Sequence, residues 1–177
     1  MQLNLQTGIF DRCPPQSRRT LADIATIFRD QDEAKKLDPT TLVYETHGSP
    51  GEIEGSPRLL YATTVLQPGA VGDEYFMTRG HFHTRQDRGE LMLTLKGEGR
   101  LLLMDRTGHI LSESMNEGSH HDIDGMYAHR VVNVGEQPLV FYVAWMSDCG
   151  HDYDSIRANG FRKSMIRGER GPVLVPR

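Results

Sequence analysis

Cysteine is scarce. Cys13 and Cys149 are the only two in 177 residues, too few for a disulfide framework and in keeping with a reducing compartment. No uncharged apolar run approaches the roughly 20 residues that a membrane-spanning helix needs, so membrane insertion is not expected. The opening Met1-Gln2-Leu3-Asn4-Leu5-Gln6-Thr7-Gly8 has no basic stretch followed by an apolar one, so no secretory leader is expected and the cytoplasm is the expected location. Positive charge is in deficit as well: 20 Lys+Arg against 24 Asp+Glu leave a formal net charge of −4, whereas a dedicated nucleic-acid binder usually carries a basic stripe. What the chain has in quantity is glycine (18) and proline (9), scattered among short apolar runs. That pattern predicts many strands joined by tight turns.

The chain reads as one domain, 1–177, with an N-terminal extension over 1–41, a β-barrel core over 42–161 and a tail over 162–177. Leu21, Ile24 and Phe28 recur at helical spacing, and Asp30 with Glu33 forms a capping-box pattern for a short helix ending near Leu37. Asp38-Pro39 stops it, because the residue before a proline avoids the α region. Cys13-Pro14-Pro15 reads as extended chain. Beyond Pro39 the predicted elements are strands: Leu42–Thr46, Leu59–Leu66, Glu74–His83, Glu90–Lys96, Arg100–Asp105, His109–Met115, His120–Ile123, His129–Val134 and Leu139–Trp145. Turns such as Lys96-Gly97-Glu98-Gly99 separate them. Nine short runs at this spacing predict an all-β antiparallel sandwich or barrel, closed by a short helix over Tyr153–Asn159.

The chemistry concentrates in Gly80-His81-Phe82-His83 and Glu90. Residues two apart on a strand share a face, so His81 and His83 project into one space. Glu90 is expected to open the second strand of a hairpin with them, and His129 opens a later strand. A lone strand histidine is as readily a hydrogen-bonded structural residue. The carboxylate and the distant His129 are what favour a metal, as a mixed N/O set suited to Fe, Mn, Zn or Ni with positions left open. His120 and His121 are adjacent, so they point to opposite faces and read as non-ligands, His121 as the structural one.

These residues resemble the cupin family, whose first motif runs HxH, Glu, Gly (here His81, His83, Glu90, Gly97) and whose second ends in His and Asn (here Gly118, His129, Asn133). The gap of six between His83 and Glu90 exceeds the usual three or four. Together with Thr63-Thr64, Pro68-Gly69, Thr78-Arg79-Gly80, Asp87-Arg88-Gly89 and Gly150-His151-Asp152-Tyr153, it is similar to the cupin-type phosphoglucose isomerases of archaea and some bacteria. The resemblance implies a jelly-roll barrel and a homodimer of glycolysis and gluconeogenesis that interconverts glucose 6-phosphate and fructose 6-phosphate. It implies one divalent ion per subunit on His81, His83, Glu90 and His129, Fe2+ foremost, with Mn2+, Zn2+ or Ni2+ as alternatives. It places the phosphate near Thr64, Thr78, Gly80, His151 and Tyr153, with Arg79 able to add charge. Glu90 becomes the candidate proton shuttle between C1 and C2, and His151 a candidate for ring opening. The blander reading makes Thr63-Thr64 strand filler and Asp152-Tyr153 a helix cap. Alternatives for the whole are another cupin metalloenzyme, such as a dioxygenase or an isomerase of a different sugar phosphate, and a non-catalytic sugar-phosphate binder. Met92, Asp122-Ile123-Asp124-Gly125 and Trp145 replace family-typical residues and are expected to line or rim the pocket, with Asp122 and Asp124 facing solvent.

Overall fold

Alternation of apolar and polar side chains, set against the turn residues, folds most of this chain into strands. The computed structural model describes residues 1–13, 15–49 and 57–177, the side chains at 158 and 159 excepted; Pro14, in the stretch read as extended, lies outside them. Six strands form one antiparallel sheet in the order His120–Ile123, Glu90–Lys96, Leu139–Met146, Leu59–Leu66, Leu42–Gly48 and Pro15–Thr20. Facing it are Ile110–Met115, Gly99–Met104 and Ala128–Asn133. Leu66, Leu101, Met92, Val131, Phe141 and their neighbours fill the space between. This is the expected all-β jelly roll.

Within the first 41 residues, the strand Pro15–Thr20 adds an edge to the large sheet by pairing with Leu42–Gly48. The helical stretch comes in short pieces, Leu21–Ile24, a single 3-10 turn at Ala25–Ile27, and Gln31–Lys36. Leu21, Ile24 and Phe28 are buried as their spacing predicts. Asp30 does cap the later helix, accepting from the N–H groups of Asp32 and Glu33 at 3.1 and 2.9 Å. The reciprocal half of that expected box is missing, because the Glu33 carboxylate is taken by Lys36 at 2.5 Å. The reciprocal contact belongs to the earlier helix, where Asp23 accepts from the backbone N–H of Thr20 at 2.7 Å.

Two further differences bear on the site. The predicted strand Glu74–His83 is broken into Glu74–Tyr75 and Phe82–His83. Between them the chain runs beside Ala128–Asn133 through isolated bridges, Met77 to Val132 and His81 to His129. Nor do Phe82–His83 and Glu90–Lys96 form a hairpin: the first pairs with His151–Asp152 and the second with His120–Ile123 and Leu139–Met146. Residues 163–176, for which the sequence offered no element, form a hairpin of Lys163–Gly168 and Gly171–Pro176 that attaches to Glu74.

Candidate metal centre

His81 and His83 converge because each is fixed from a different side. The amide of His129 donates to the His81 carbonyl at 3.1 Å, while His83 lies opposite His151 in register. Glu90 enters from the large sheet. One donor atom from each of His81, His83, Glu90 and His129 lies within 4.8 Å of all the others. His83, Glu90 and His129 are 0%, 6% and 5% exposed.

The donor atoms are poorly satisfied by one another. Nε2 of His81 is buried without a hydrogen-bond partner. Nε2 of His83 and of His129 stand 3.5 and 3.6 Å from Oε2 of Glu90, longer than a good hydrogen bond. Buried polar atoms are rarely left so, and a cation would satisfy all of them at once. On its other side, Nδ1 of His83 meets the carbonyl of Arg88 at 2.6 Å; donating there leaves the Nε2 lone pair aimed at the cluster. The residues therefore fit one divalent ion.

Charge follows the same logic. Burial, reinforced by its three histidine neighbours, holds His81 well below the usual imidazole range. Burial also lowers His129 despite the attraction of Glu90. Burial would raise the Glu90 carboxyl, but the pull of His129 and the contact with His83 outweigh it and hold it low. Only His83 goes up: burial opposes its charge, but Glu90 and the Arg88 carbonyl overcome that. The set is a carboxylate among mostly neutral imidazoles, the protonation state a metal requires.

The long gap between His83 and Glu90 has a structural content. Arg88 grips Asp148 with two parallel bonds, Nε to Oδ1 and Nη2 to Oδ2, both 3.0 Å. Arg85 reaches the same carboxylate at 2.5 Å. This anchors the loop whose carbonyl orients His83. A Cβ on Gly125 would collide with that same carbonyl; Gly125 packs against this loop and Ile123 enters the core, so Asp122–Gly125 is not among the residues lining the cavity, contrary to expectation. Asp122 and Asp124 are exposed, as expected.

A cavity of about 320 Å³ opens onto His81, Glu90 and His129. Thr64, Thr78, Gly80, His151 and Tyr153 all line it, as do Arg79, Met92 and Trp145. Thr64 and Thr63 alternate on their strand: Thr63 turns away, donating to the carbonyls of Gly8 and His47. Asp152, one residue before the cap position Tyr153, bonds into the first turn of the last helix, its carboxylate accepting from the Ser155 amide at 3.0 Å and the Ser155 hydroxyl at 2.6 Å. His121 is buried and bonded to Glu113 at 2.6 Å while His120 is exposed, so neither joins the cluster. Tyr44 and Thr46 also line the cavity; their i, i+2 spacing on the Leu42–Gly48 strand was a usable signal. Gln16, Ser17 and Arg19 line it too, from a segment without periodicity that gave none.

Fold and site together define a cupin with a candidate single-ion centre at the floor of a small-molecule cavity. A family model described as glucose-6-phosphate isomerase (GPI) matches residues 18–173. The chain is 38% identical to the glucose-6-phosphate isomerase of Thermococcus litoralis over 179 aligned residues, covering 99% of this chain and 92% of that protein. Identity is 39% to the Pyrococcus furiosus isomerase over the same shares. It is 32% to that of Sinorhizobium medicae, over 96% of this chain and 81% of that one. Among solved structures, oxalate decarboxylase from Bacillus subtilis aligns at a TM-score of 0.48 and 21% identity, over 61% of this chain and 26% of that chain. At that level a likeness says nothing about chemistry. The chain belongs to the cupin-type glucose-6-phosphate isomerase family.

Proposed function

We propose that this chain interconverts glucose 6-phosphate and fructose 6-phosphate, using one divalent ion, Fe2+ foremost, held by His81, His83, Glu90 and His129. Cytoplasmic action as a homodimer, in glycolysis and gluconeogenesis, belongs to the same proposal. The observation that carries it is the buried cluster of His81, His83, Glu90 and His129, with Nε2 of His81 and of His83 unpartnered, beside a cavity lined by hydroxyl and imidazole groups. When bound, the ion would polarise the oxygens on C1 and C2 and ease formation of an enediol-like species.

The remaining work falls to the chain. The hydroxyls of Thr64, Thr78 and Tyr153, the Gly80 amide and the His151 imidazole hold the phosphate, with the charge of Arg79 beside them. His151 is the acid–base group for ring opening. Met92, Phe141, Val143 and Trp145 form an apolar wall that limits water. Glu90 moves the proton between C1 and C2. A carboxylate committed to a cation would be a weak base, so Glu90 would serve as the shuttle only while free of the ion.

The test is a coupled assay on fructose 6-phosphate with the purified protein, before and after chelation and with Fe2+ or Mn2+ restored. Turnover lost on chelation and regained with metal is the expected result; no turnover under any metal refutes the activity. In deuterated water the product should acquire deuterium at C1 or C2, and Glu90→Gln should lower kcat by roughly 10²–10⁴-fold. Product free of solvent deuterium would remove the Glu90 shuttle and leave direct hydrogen transfer between the two carbons.

A further inference from the structure

Strand alternation sends His129 toward the metal cluster and Arg130 to the opposite face of Ala128–Asn133. There Arg130 borders a separate cavity of about 470 Å³ that is also lined by Arg79, Arg157 and Arg177, with Tyr153 and Gly160. No acidic side chain is among the described lining residues. Arg130 is 2% exposed. Its Nε and Nη2 both donate to one acceptor, the Arg79 carbonyl, at 3.3 and 2.7 Å, and its guanidinium lies 4.2 Å above the centre of the Phe161 ring.

Among the described residues no carboxylate forms an ion pair with Arg130. Buried Glu74 attracts it without making an ion pair, its Oε2 accepting from the Arg29 amide at 2.7 Å. Arg79 spends a donor on the Asp23 carbonyl at 2.9 Å. Among the described residues, Arg157 is the one of the four that pairs with an acidic side chain, Asp154 at 3.2 Å, and that pair is largely exposed. A buried guanidinium without a carboxylate in contact is costly, and grouping three more around one space compounds the cost by mutual repulsion. An anion in that space relieves both, and a phosphate can accept paired N–H bonds from several guanidinium forks at once.

We propose that this arginine-lined cavity is a second anion site, taking a phosphate-type dianion, distinct from the phosphate position beside the metal cluster. Arg79 and Tyr153 belong to both cavities, so the two sites are neighbours. The dianion is a separate phosphate compound, not the phosphate of the sugar being isomerised.

Isothermal titration of inorganic phosphate onto the full chain at fixed ionic strength, in a buffer free of phosphate, tests the site whether or not the chain is an active isomerase. The expected result is binding that persists under saturating fructose 6-phosphate and weakens at least tenfold in Arg130→Lys and in Arg177→Gln, with KM for fructose 6-phosphate unchanged in both. Arg130→Lys keeps the charge but loses the fork; if it does not fold, as judged by its melting curve, Arg177→Gln at the cavity lining carries the test. Unchanged phosphate affinity in the folded variants overturns the proposal. Outright displacement of phosphate by fructose 6-phosphate, with a raised KM in the variants, overturns it too, by making the cavity part of the substrate's own phosphate position.

Discussion

Gly80→Ala isolates the link between backbone and metal centre. Gly80 has φ +75°, and a Cβ placed there would stand 2.9 Å from the carbonyl oxygen of His129 and 2.8 Å from Cε2 of Phe161. A side chain in the left-handed region costs roughly 1–2 kcal/mol, and forcing atoms into a packed site costs roughly 1–3 kcal/mol more. Gly118 is the natural control, with φ +83° and nothing within 4 Å of its would-be Cβ; Gly118→Ala should show the conformational cost alone. For a chain of this size about 1 kcal/mol moves Tm by about 2–4 °C. Gly80→Ala should therefore lower Tm by about 10 °C and Gly118→Ala by about 4 °C, read by calorimetry on metal-free protein. The His129 carbonyl displaced at position 80 also belongs to a residue of the cluster, so a competitive metal titration should show Gly80→Ala binding the ion roughly tenfold more weakly, in the range typical of lost supporting contacts, and Gly118→Ala binding it normally. Equal Tm losses in the two variants, or unimpaired metal affinity in Gly80→Ala, would refute the idea that this glycine exists to let the two histidine-bearing segments meet.

Asp148→Ala should leave Tm nearly unchanged, because the pair is at the surface, yet weaken metal binding about tenfold by freeing the Arg88 carbonyl from its place behind His83; the same titration reads it. Thr64→Val should raise KM for fructose 6-phosphate by about tenfold with little change in kcat, as a lost bond to a charged group would, while Thr63→Val should lower Tm and leave KM alone. The metal-free protein should lose stability as pH falls below about 6.5, where unfolded histidines take up protons. Folded His81 and His129 resist that proton because both are lowered, whereas the raised His83 is protonated in both states below about 6.5 and acts only above it. The net slope is about two protons, or about 2.7 kcal/mol per pH unit at most, measurable by urea unfolding across pH 5–7. A flat profile would show that the cluster titrates as it does in the unfolded chain.

Leu59–Leu66, Glu90–Lys96 and His120–Ile123 were readable to the residue because alternation and flanking turns are local properties. The four candidate ligands, which the fold brings together, could be picked out for a similar reason: His-x-His needs only strand periodicity, and imidazole and carboxylate are what divalent ions bind. The break in Glu74–His83 was not readable. Apolar residues there satisfy a strand pattern, and only the neighbouring Ala128–Asn133 strand, with the close approach at Gly80, decides that the chain turns out of one sheet. The absent hairpin between His83 and Glu90 has the same origin, since partner choice depends on which edges are already taken.

The amino-acid order by itself determined strand content, most turn positions, the candidate ligand set and the family. Only the folded chain decided that His81 meets His129, that Arg88 steadies His83, and that Arg130 and Arg177 face one cavity from distant points in the chain. Ligand type and periodicity are carried by near neighbours. The convergence of charges far apart in sequence is fixed by burial, and burial exists only once the sheets have closed.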